Sequence, residues 1–196
     1  MDLDQLLFTR ANIENVGELL VIIHRCMNEV NYKDYAPYEF KKYLAHFTAD
    51  WLIDIINTRH YYEVSYQGKI VACGGVSRDY SQEKQSYFTA IFVNPDYHGK
   101  GIGRKLIQFL EKDEWCLCSN LIEIPSSKSS HEFYYKCGYK YRNNPPIFSE
   151  IDGSTIIQSA AFICPQSLSM RPTTLLAECR CCVWVMSRNR QAHVFP

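Results

Sequence analysis

The stretch that most constrains this chain is Tyr87 to Glu114, YFTAIFVNPDYHGKGIGRKLIQFLEKDE. Its opening residues, Tyr87 to Val93, are β-prone and mostly apolar. Asn94-Pro95-Asp96 follows, and proline has no amide to give a sheet ladder, so the strand is expected to stop there. His98-Gly99-Lys100-Gly101-Ile102-Gly103 comes next, and from Ile102 the apolar residues recur at Leu106, Phe109 and Leu110. That spacing predicts a helix running to about Trp115. Strand, glycine-rich turn and helix together make an anion site, because the first amides of a helix lack intrahelical acceptors and lie at the positive end of its dipole. Gly99, Gly101 and Gly103 remove Cβ atoms that would hold a phosphate away from those amides. Lys100, Arg104 and Lys105 add positive charge, so the ligand implied is a phosphate, most simply a diphosphate.

Two common phosphate loops do not fit. A dinucleotide fingerprint needs G-x-G-x-x-G, but counting from Gly99 its last position is Arg104 and from Gly101 it is Leu106. A P-loop needs Ser or Thr after Gly-Lys, which neither Gly68-Lys69 nor Gly99-Lys100 has. What the residues do resemble is the acetyl-CoA loop of the GCN5-related N-acetyltransferases, Q/R-x-x-G-x-G/A, with His98 in the Gln/Arg position and Gly101 and Gly103 in the glycine positions. A second stretch, SSKSSHEFYYKCGY from Ser126 to Tyr139, resembles that family's later motif, a helix ending F-Y-x-x-x-G-[FY]. Phe133, Tyr134, Gly138 and Tyr139 match it position by position.

The resemblance implies an α/β fold with a mixed, mostly antiparallel sheet flanked by helices. It also implies acetyl-CoA as co-substrate, held by His98, Gly99, Lys100, Gly101, Ile102, Gly103 and Arg104. Main-chain groups of Ile91 and Val93 are expected to contact the pantetheine arm where the central strand splays from its neighbour. Tyr134 stands where many members place the hydroxyl that protonates the departing thiolate, whose pKa is not far from a phenol's ~10. Several members carry a glutamate on the central strand about where Tyr87 stands, and Tyr87 to Val93 contains no carboxylate. Glu123 on the next strand is the candidate base, with Asp79 and Glu83 the other nearby carboxylates. Proton removal through water, with no dedicated base, is the alternative. The rival to an enzyme is a non-catalytic acyl-CoA-binding or regulatory module on the same fold, favoured by His98 and by the missing strand carboxylate.

The rest of the chain supplies the elements such a fold needs. Leu6 to Thr9 reads as a first strand. Asn12 reads as the cap of a helix with apolar residues at Val16, Leu19, Leu20, Ile23 and Met27, and further helices are expected from Pro37 to Phe47 and from Trp51 to Ile56. Tyr61 to Tyr66 and Lys69 to Val76 form a hairpin around Gln67-Gly68, with Gly74-Gly75 marking a bulge or a close neighbour. Ser77 to Ser86 reads as a polar loop. Leu121 to Ile124 reads as a strand ended by Pro125, His131 to Cys137 as a helix closed by Gly138, and Tyr139 to Tyr141 and Thr155 to Ile163 as strands.

The chain has 196 residues, which suits one domain, expected over 1–164 with 165–196 as a tail. Its formal net charge of zero offers no general attraction to nucleic acid or anionic lipid. No apolar run approaches the ~20 residues of a membrane span, and the acidic start MDLDQLLFTR lacks the blocks of a signal peptide. Nine scattered cysteines suit reduced thiols in a cytoplasmic protein better than disulfides or zinc. The C-x-C-C run at Cys179, Cys181 and Cys182 with His193 lacks zinc spacing, so no metal is expected. The acceptor is expected to be a small-molecule or peptide amine, with Tyr32, Tyr35, Tyr38 and Tyr43 beside Asp34 and Glu39 hinting at a cation. A homodimer is allowed but not required.

Overall fold

The structure, a computed structural model, describes residues 1–78, 85–141, 148–151 and 154–162. β1 (Leu7–Arg10) leads into α1 (Val16–Glu29), α2 (Pro37–Leu44) and α3 (Ala49–Thr58). β2 (His60–Tyr66), β3 (Lys69–Arg78) and β4 (Gln85–Val93) follow, then α4 (Ile102–Leu110), α5 (Glu114–Leu117), β5 (Leu121–Ser127) and α6 (His131–Lys136). β6 (Phe148–Ile151) and β7 (Ser154–Phe162) are the last described elements. The strands form one sheet in the order β1-β2-β3-β4-β5-β7-β6, antiparallel except between β4 and β5. This is the mixed, mostly antiparallel sheet with flanking helices that the two motifs imply.

Both faces of the sheet are covered. On one, Leu19, Ile23 and Met27 of α1 and Leu52 and Ile55 of α3 pack with Tyr61 and Cys73. On the other, Ile102, Leu106, Ile107 and Leu110 of α4 pack with Val71, Phe88, Ile122, Ile124 and Tyr134. Burying each such aliphatic side chain contributes roughly 1.5–3 kcal/mol, which anchors α4 behind the strand that precedes it. β3 lies between the two cores and is buried continuously from Ile70 to Val76, the pattern of a strand covered on both faces.

Local chemistry sets the element ends, not always where the pattern suggests. Gln67 and Gly68 both have positive φ (48° and 75°), the two-residue turn whose twist matches a hairpin. Asn12 caps a single 3-10 turn, Ile13–Asn15, and α1 starts after it at Val16. α2 ends at Leu44 rather than Phe47. The helix after the glycine turn ends at Leu110, not Trp115. Asp113 starts a new one, its carboxylate accepting from the Trp115 amide at 2.8 Å. The polar loop is shorter than expected, since β3 continues to Arg78 and β4 begins at Gln85. Pro125 does not end β5. It sits at a register shift between Ile124 and Ser126, where no ladder amide is needed. Tyr139 to Tyr141 is not a strand. It follows a Schellman closure of α6, in which Gly138 (φ 99°) donates to the Tyr135 carbonyl and Tyr139 to that of Tyr134. Cys26, Cys73, Cys116 and Cys137 are free thiols. The tail 165–196, with its cysteine cluster and His193, and Asp79 and Glu83 lie outside the described residues.

A Cβ on Gly75 would lie 2.6 Å from the His60 carbonyl oxygen and 2.7 Å from Tyr61 Cδ2, whereas one on Gly17 in α1 would meet nothing within 4 Å. Gly75→Ala should therefore lower stability by about 1–3 kcal/mol, and Gly17→Ala should raise it by about 0.5–1 kcal/mol. Urea-denaturation midpoints, with unchanged slopes, check both.

Candidate active site

The sheet opens between β4 and β5. Only Gln85, Ser86 and Tyr87 pair with β5, opposite Leu121, Ile122 and Glu123. Beyond that rung β5 keeps only β7, which pairs along its other edge from Ile122 to Ser127, while the apolar second half of β4, Thr89 to Val93, is only half-buried. The opening begins where β4 carries an extra residue. Cys73 pairs with Phe92 and Gly75 with Thr89, so Ala90 and Ile91 together oppose Gly74. Ala90 takes φ 49°, a left-handed conformation rare outside glycine, and strain of this kind persists only where the surroundings hold it. Here the buried Tyr61 hydroxyl donates to the Ala90 carbonyl at 3.0 Å. Gly74 leaves room for Ile91, whose Cδ1 would stand 2.5 Å from any Cβ there.

The glycine loop closes the same end. Asn94 caps the 3-10 turn Pro95–Tyr97, and Gly101 (φ 88°) precedes α4 with no side-chain cap. The amides of Ile102, Gly103 and Arg104 thus form the uncapped first turn of α4. The three glycines serve different ends. Gly99 (φ 73°) and Gly101 are needed for their backbone angles. Gly103 is needed for packing, because its Cβ would lie 3.1 Å from the Phe133 ring. That contact joins the two sequence motifs, as does Arg104, which donates to the Lys136 carbonyl at 3.1 Å in the last turn of α6. The loop cations are partly committed within the protein: Lys100 donates to the Asp96 carbonyl at 2.8 Å, and Lys105 pairs with Asp4 at 3.5 Å. His98 turns back as well, its Nε2 donating to the Val93 carbonyl at 2.7 Å.

α1 straps the opening. Arg25 reaches both carboxylate oxygens of Asp96 (2.8 and 3.0 Å) and the Asn94 side chain (3.0 Å), while also pairing with Glu29. These bonds raise the Arg25 pKa, and Arg25 in turn lowers that of Asp96. Cys26 donates to the Val93 carbonyl at 3.0 Å, and burial pushes its thiol up to about 12. Just past α1, Asn31 donates to Ser127 at 3.2 Å, and Asp34 accepts from the Ser129 amide and hydroxyl at 3.0 and 2.7 Å. The C-terminal half of α1 and its extension thus cross the ends of both parted strands.

Of the expected site residues, Ile91 lies in the bulge, and Val93 has its carbonyl taken by Cys26 and His98, so its oxygen is not available to a ligand. Tyr134 is buried (5% exposed), set edge-on to Phe133 and Tyr139, and its hydroxyl makes no hydrogen bond among the described residues. Burial, with Cys137 close by, raises its pKa, which keeps the phenol protonated. Glu123 is buried too, and Gln85 Nε2 donates to its carboxylate at 2.5 Å. Its register partner is Tyr87, the strand position that lacked a carboxylate. Glu123 alternates with Ile122 and Ile124, which join the α4 core. It therefore faces the α1 side of the sheet, opposite Tyr134. Ser126 Oγ, past Pro125, is fully buried and also lacks a hydrogen bond among the described residues. A group of this kind calls for a partner from outside the protein, a ligand atom or water. Arg25, Tyr61 and Ser126 carry no local signature in the sequence. Their roles arise from partners 29 to 71 positions away or, for Ser126, from the lack of one.

A family model described as "Acetyltransferase (GNAT) family" matches residues 21–139. No curated protein matches the sequence. Among solved structures, the chain is similar to a GCN5-related N-acetyltransferase from Rhodopseudomonas palustris, at 17% identity and TM-score 0.67, over 83% of this chain and 96% of that one. It is also similar to the PaiA N-acetyltransferase of Thermoplasma acidophilum in complex with coenzyme A (14% identity, TM-score 0.61, 79% and 97% covered). A third is a chimera of the Vibrio cholerae spermidine N-acetyltransferase SpeG and hSSAT (19% identity, TM-score 0.57, 85% and 99% covered).

Cutting the strap should disorder the loop before it disturbs the core. Arg25→Met is expected to weaken acetyl-CoA binding about three- to tenfold, because less of the protein then holds the loop in its binding form. Calorimetric titration measures this, and an unchanged far-ultraviolet circular dichroism spectrum shows the fold intact.

Proposed function

The chain belongs to the GNAT family of acetyltransferases, and from that premise we propose that it moves an acetyl group from acetyl-CoA to a primary amine directly, within a ternary complex. The observation that carries this is the junction of the two motifs: uncapped α4 amides, the parted β4 and β5, and Tyr134 on a helix packed against Gly103. The residues present suit acetyl-CoA. The amides of Ile102, Gly103 and Arg104 would take the diphosphate, with His98, Gly99, Lys100 and Gly101 shaping the loop. The unpartnered Ser126 hydroxyl and the main chain at Ile91 would take polar groups of the arm. A fold relative solved with coenzyme A and another acting on spermidine support the cofactor and an amine acceptor.

Bound acetyl-CoA supplies a thioester carbonyl open to attack by an uncharged amine, and a thiolate as leaving group. Tyr134 donates its proton to that thiolate, and its raised pKa keeps it an acid throughout the neutral range. Glu123, on the other face of the sheet, takes the proton the amine loses. The main-chain N–H at Ile91 steadies charge on the acyl oxygen. We assign the catalytic unit to residues 1–164 and the tail to a separate segment. No described helix is long and apolar enough to cross a membrane, and we assign the reaction to the cytoplasm.

Thiol release against a panel of amines tests the activity. Acetyl-CoA binding with no amine accelerating release would instead favour a binding module. Tyr134→Phe should cut kcat by about 10²–10⁴-fold with acetyl-CoA affinity preserved, and Glu123→Gln should cost about 10²-fold. A general acid works only while protonated, so activity is lost as pH rises through its pKa. The alkaline limb due to Tyr134 should therefore lie above the free-tyrosine value of ~10 and vanish in Tyr134→Phe.

A further inference from the structure

Arg59, just ahead of β2, and Tyr61, the second residue of that strand, both reach across β3 to β4. The row they cross is Tyr61, Gly75, Thr89: Tyr61 pairs with Gly75 on β3, and Gly75 with Thr89 on β4. Gly75 has no side chain to stop them. A Cβ there would lie 2.7 Å from Tyr61 Cδ2, so the phenol ring lies over the glycine. Beyond it the Tyr61 hydroxyl donates to the Ala90 carbonyl at 3.0 Å, and Arg59 Nη1 donates to the Thr89 hydroxyl at 2.9 Å. Two consecutive residues of β4, the second strained at φ 49°, are thus held from one short stretch of chain.

The bond to Ala90 fixes more than a carbonyl. Ala90 and Ile91 share one planar trans peptide unit, in which the C=O and the N–H point in opposite directions. Tyr61 comes from the β2 side, so the carbonyl it holds points back toward β3. The Ile91 N–H therefore points the other way, toward β5. On that side the strands have parted: β4 makes its last rung with β5 at Tyr87, and neither Ala90 nor Ile91 has a rung with β3. No ladder rung holds this peptide, so without the hydroxyl it is free to turn. The anchor itself is rigid. Tyr61 is 1% exposed and lies in the core with α1 and α3, and its carbonyl accepts from the Ala11 amide at 3.0 Å. Burial raises the pKa of its phenol well above the ordinary value, so the group stays a donor throughout the neutral range.

We propose that Tyr61 is a positioning residue for acyl transfer: it locks the Ala90–Ile91 peptide so that the Ile91 N–H faces the thioester oxygen before the cofactor arrives. Arg59 steadies the lock through Thr89, the residue ahead of the bulge. Both act through β4 rather than on the substrate. A donor set in place beforehand costs no reorganisation when charge develops on the oxygen, which is the source of its effect. The inference deepens the acetyl-transfer reading, in which that N–H steadies the acyl oxygen, and for turnover it rests on it.

The test is Tyr61→Phe in the full-length protein, which removes the hydroxyl and keeps the ring. Its kcat should fall by about 10- to 100-fold, short of the ~10²–10³-fold of losing an oxyanion donor outright. The calorimetric Kd for acetyl-CoA and the KM of the amine should change less than about twofold, as for an interaction made in the transition state. Infrared difference spectra of bound acetyl-CoA, isotope-labelled at the thioester carbonyl, give a readout that stability alone would not move. Binding should lower the carbonyl stretch, and Tyr61→Phe should return it toward the free value. Thr89→Val, which removes only the Arg59 bond, should lower kcat about two- to fivefold, the scale of one net hydrogen bond, and Thr89→Ser should restore it. Should Tyr61→Phe fail to fold, Thr89→Val decides in the same two assays. An unchanged kcat with an amine still acetylated, or a fall in kcat with the carbonyl band unmoved, would overturn the proposal and leave acetyl transfer standing. No turnover of any amine, with a band that shifts on binding and reverts in Tyr61→Phe, would support the lock and reject acetyl transfer.

Discussion

The whole site depends on two adjacent strands ceasing to pair. β4 and β5 share three rungs and then part, because β4 takes one residue too many opposite Gly74 and β5 meets a proline two residues after its last rung. A parted strand leaves backbone donors and acceptors unpaired inside a protein, a cost of about 1–3 kcal/mol for each one buried without a partner. The fold bears that cost at one place and reinforces it from both sides. Tyr61 holds the Ala90 carbonyl, Gly74 and Gly75 let the neighbouring side chains close in, and α1 crosses the far end.

That reinforcement gives the loop after β4 its shape. In isolation, a glycine loop ahead of a helix is floppy, and ordering it on a ligand draws on binding energy. Here Asn94 caps its own turn, Arg25 holds Asp96 from another helix, and His98 folds back on Val93. The α4 amides are thereby presented before any ligand arrives. Electrostatics follows from the same arrangement. Lys100, Arg104 and Lys105 hold parts of the scaffold together, so the proposed diphosphate would be drawn more by the helix terminus than by free cations. Glu123 faces the side of the sheet opposite Tyr134 because residues alternate along β5, and as the proposed base and acid the two would serve one reaction through the opening between the strands.

Much of this was legible from local pattern. The strand–turn–helix of Tyr87 to Leu110, the Gln67-Gly68 hairpin, the cap at Gly138 and the helical face of α1 depend on neighbours within a few positions, and each appears close to where the pattern predicts it. The misjudged boundaries share one cause. Pro125 continues a strand because β4 has already parted from it and the ladder to β7 shifts register there, Asp113 breaks a helix because its carboxylate is claimed by the Trp115 amide, His60 and Tyr62, and Tyr139 leaves the strand pattern to complete a helix cap. A propensity cannot record that a partner is missing or that one is waiting across the sheet.

The sequence alone determined the kind of protein this is: the glycine spacing after a strand and the F-Y-x-x-x-G-Y helix demand backbone angles and an anion site that few folds provide. The tertiary structure alone decided how the site works. The bulge at Ala90, the Arg25 strap and the placement of Glu123 beside Tyr87 join residues far apart in the chain. Their energies exist only once those residues meet, so no local stretch of sequence carries them.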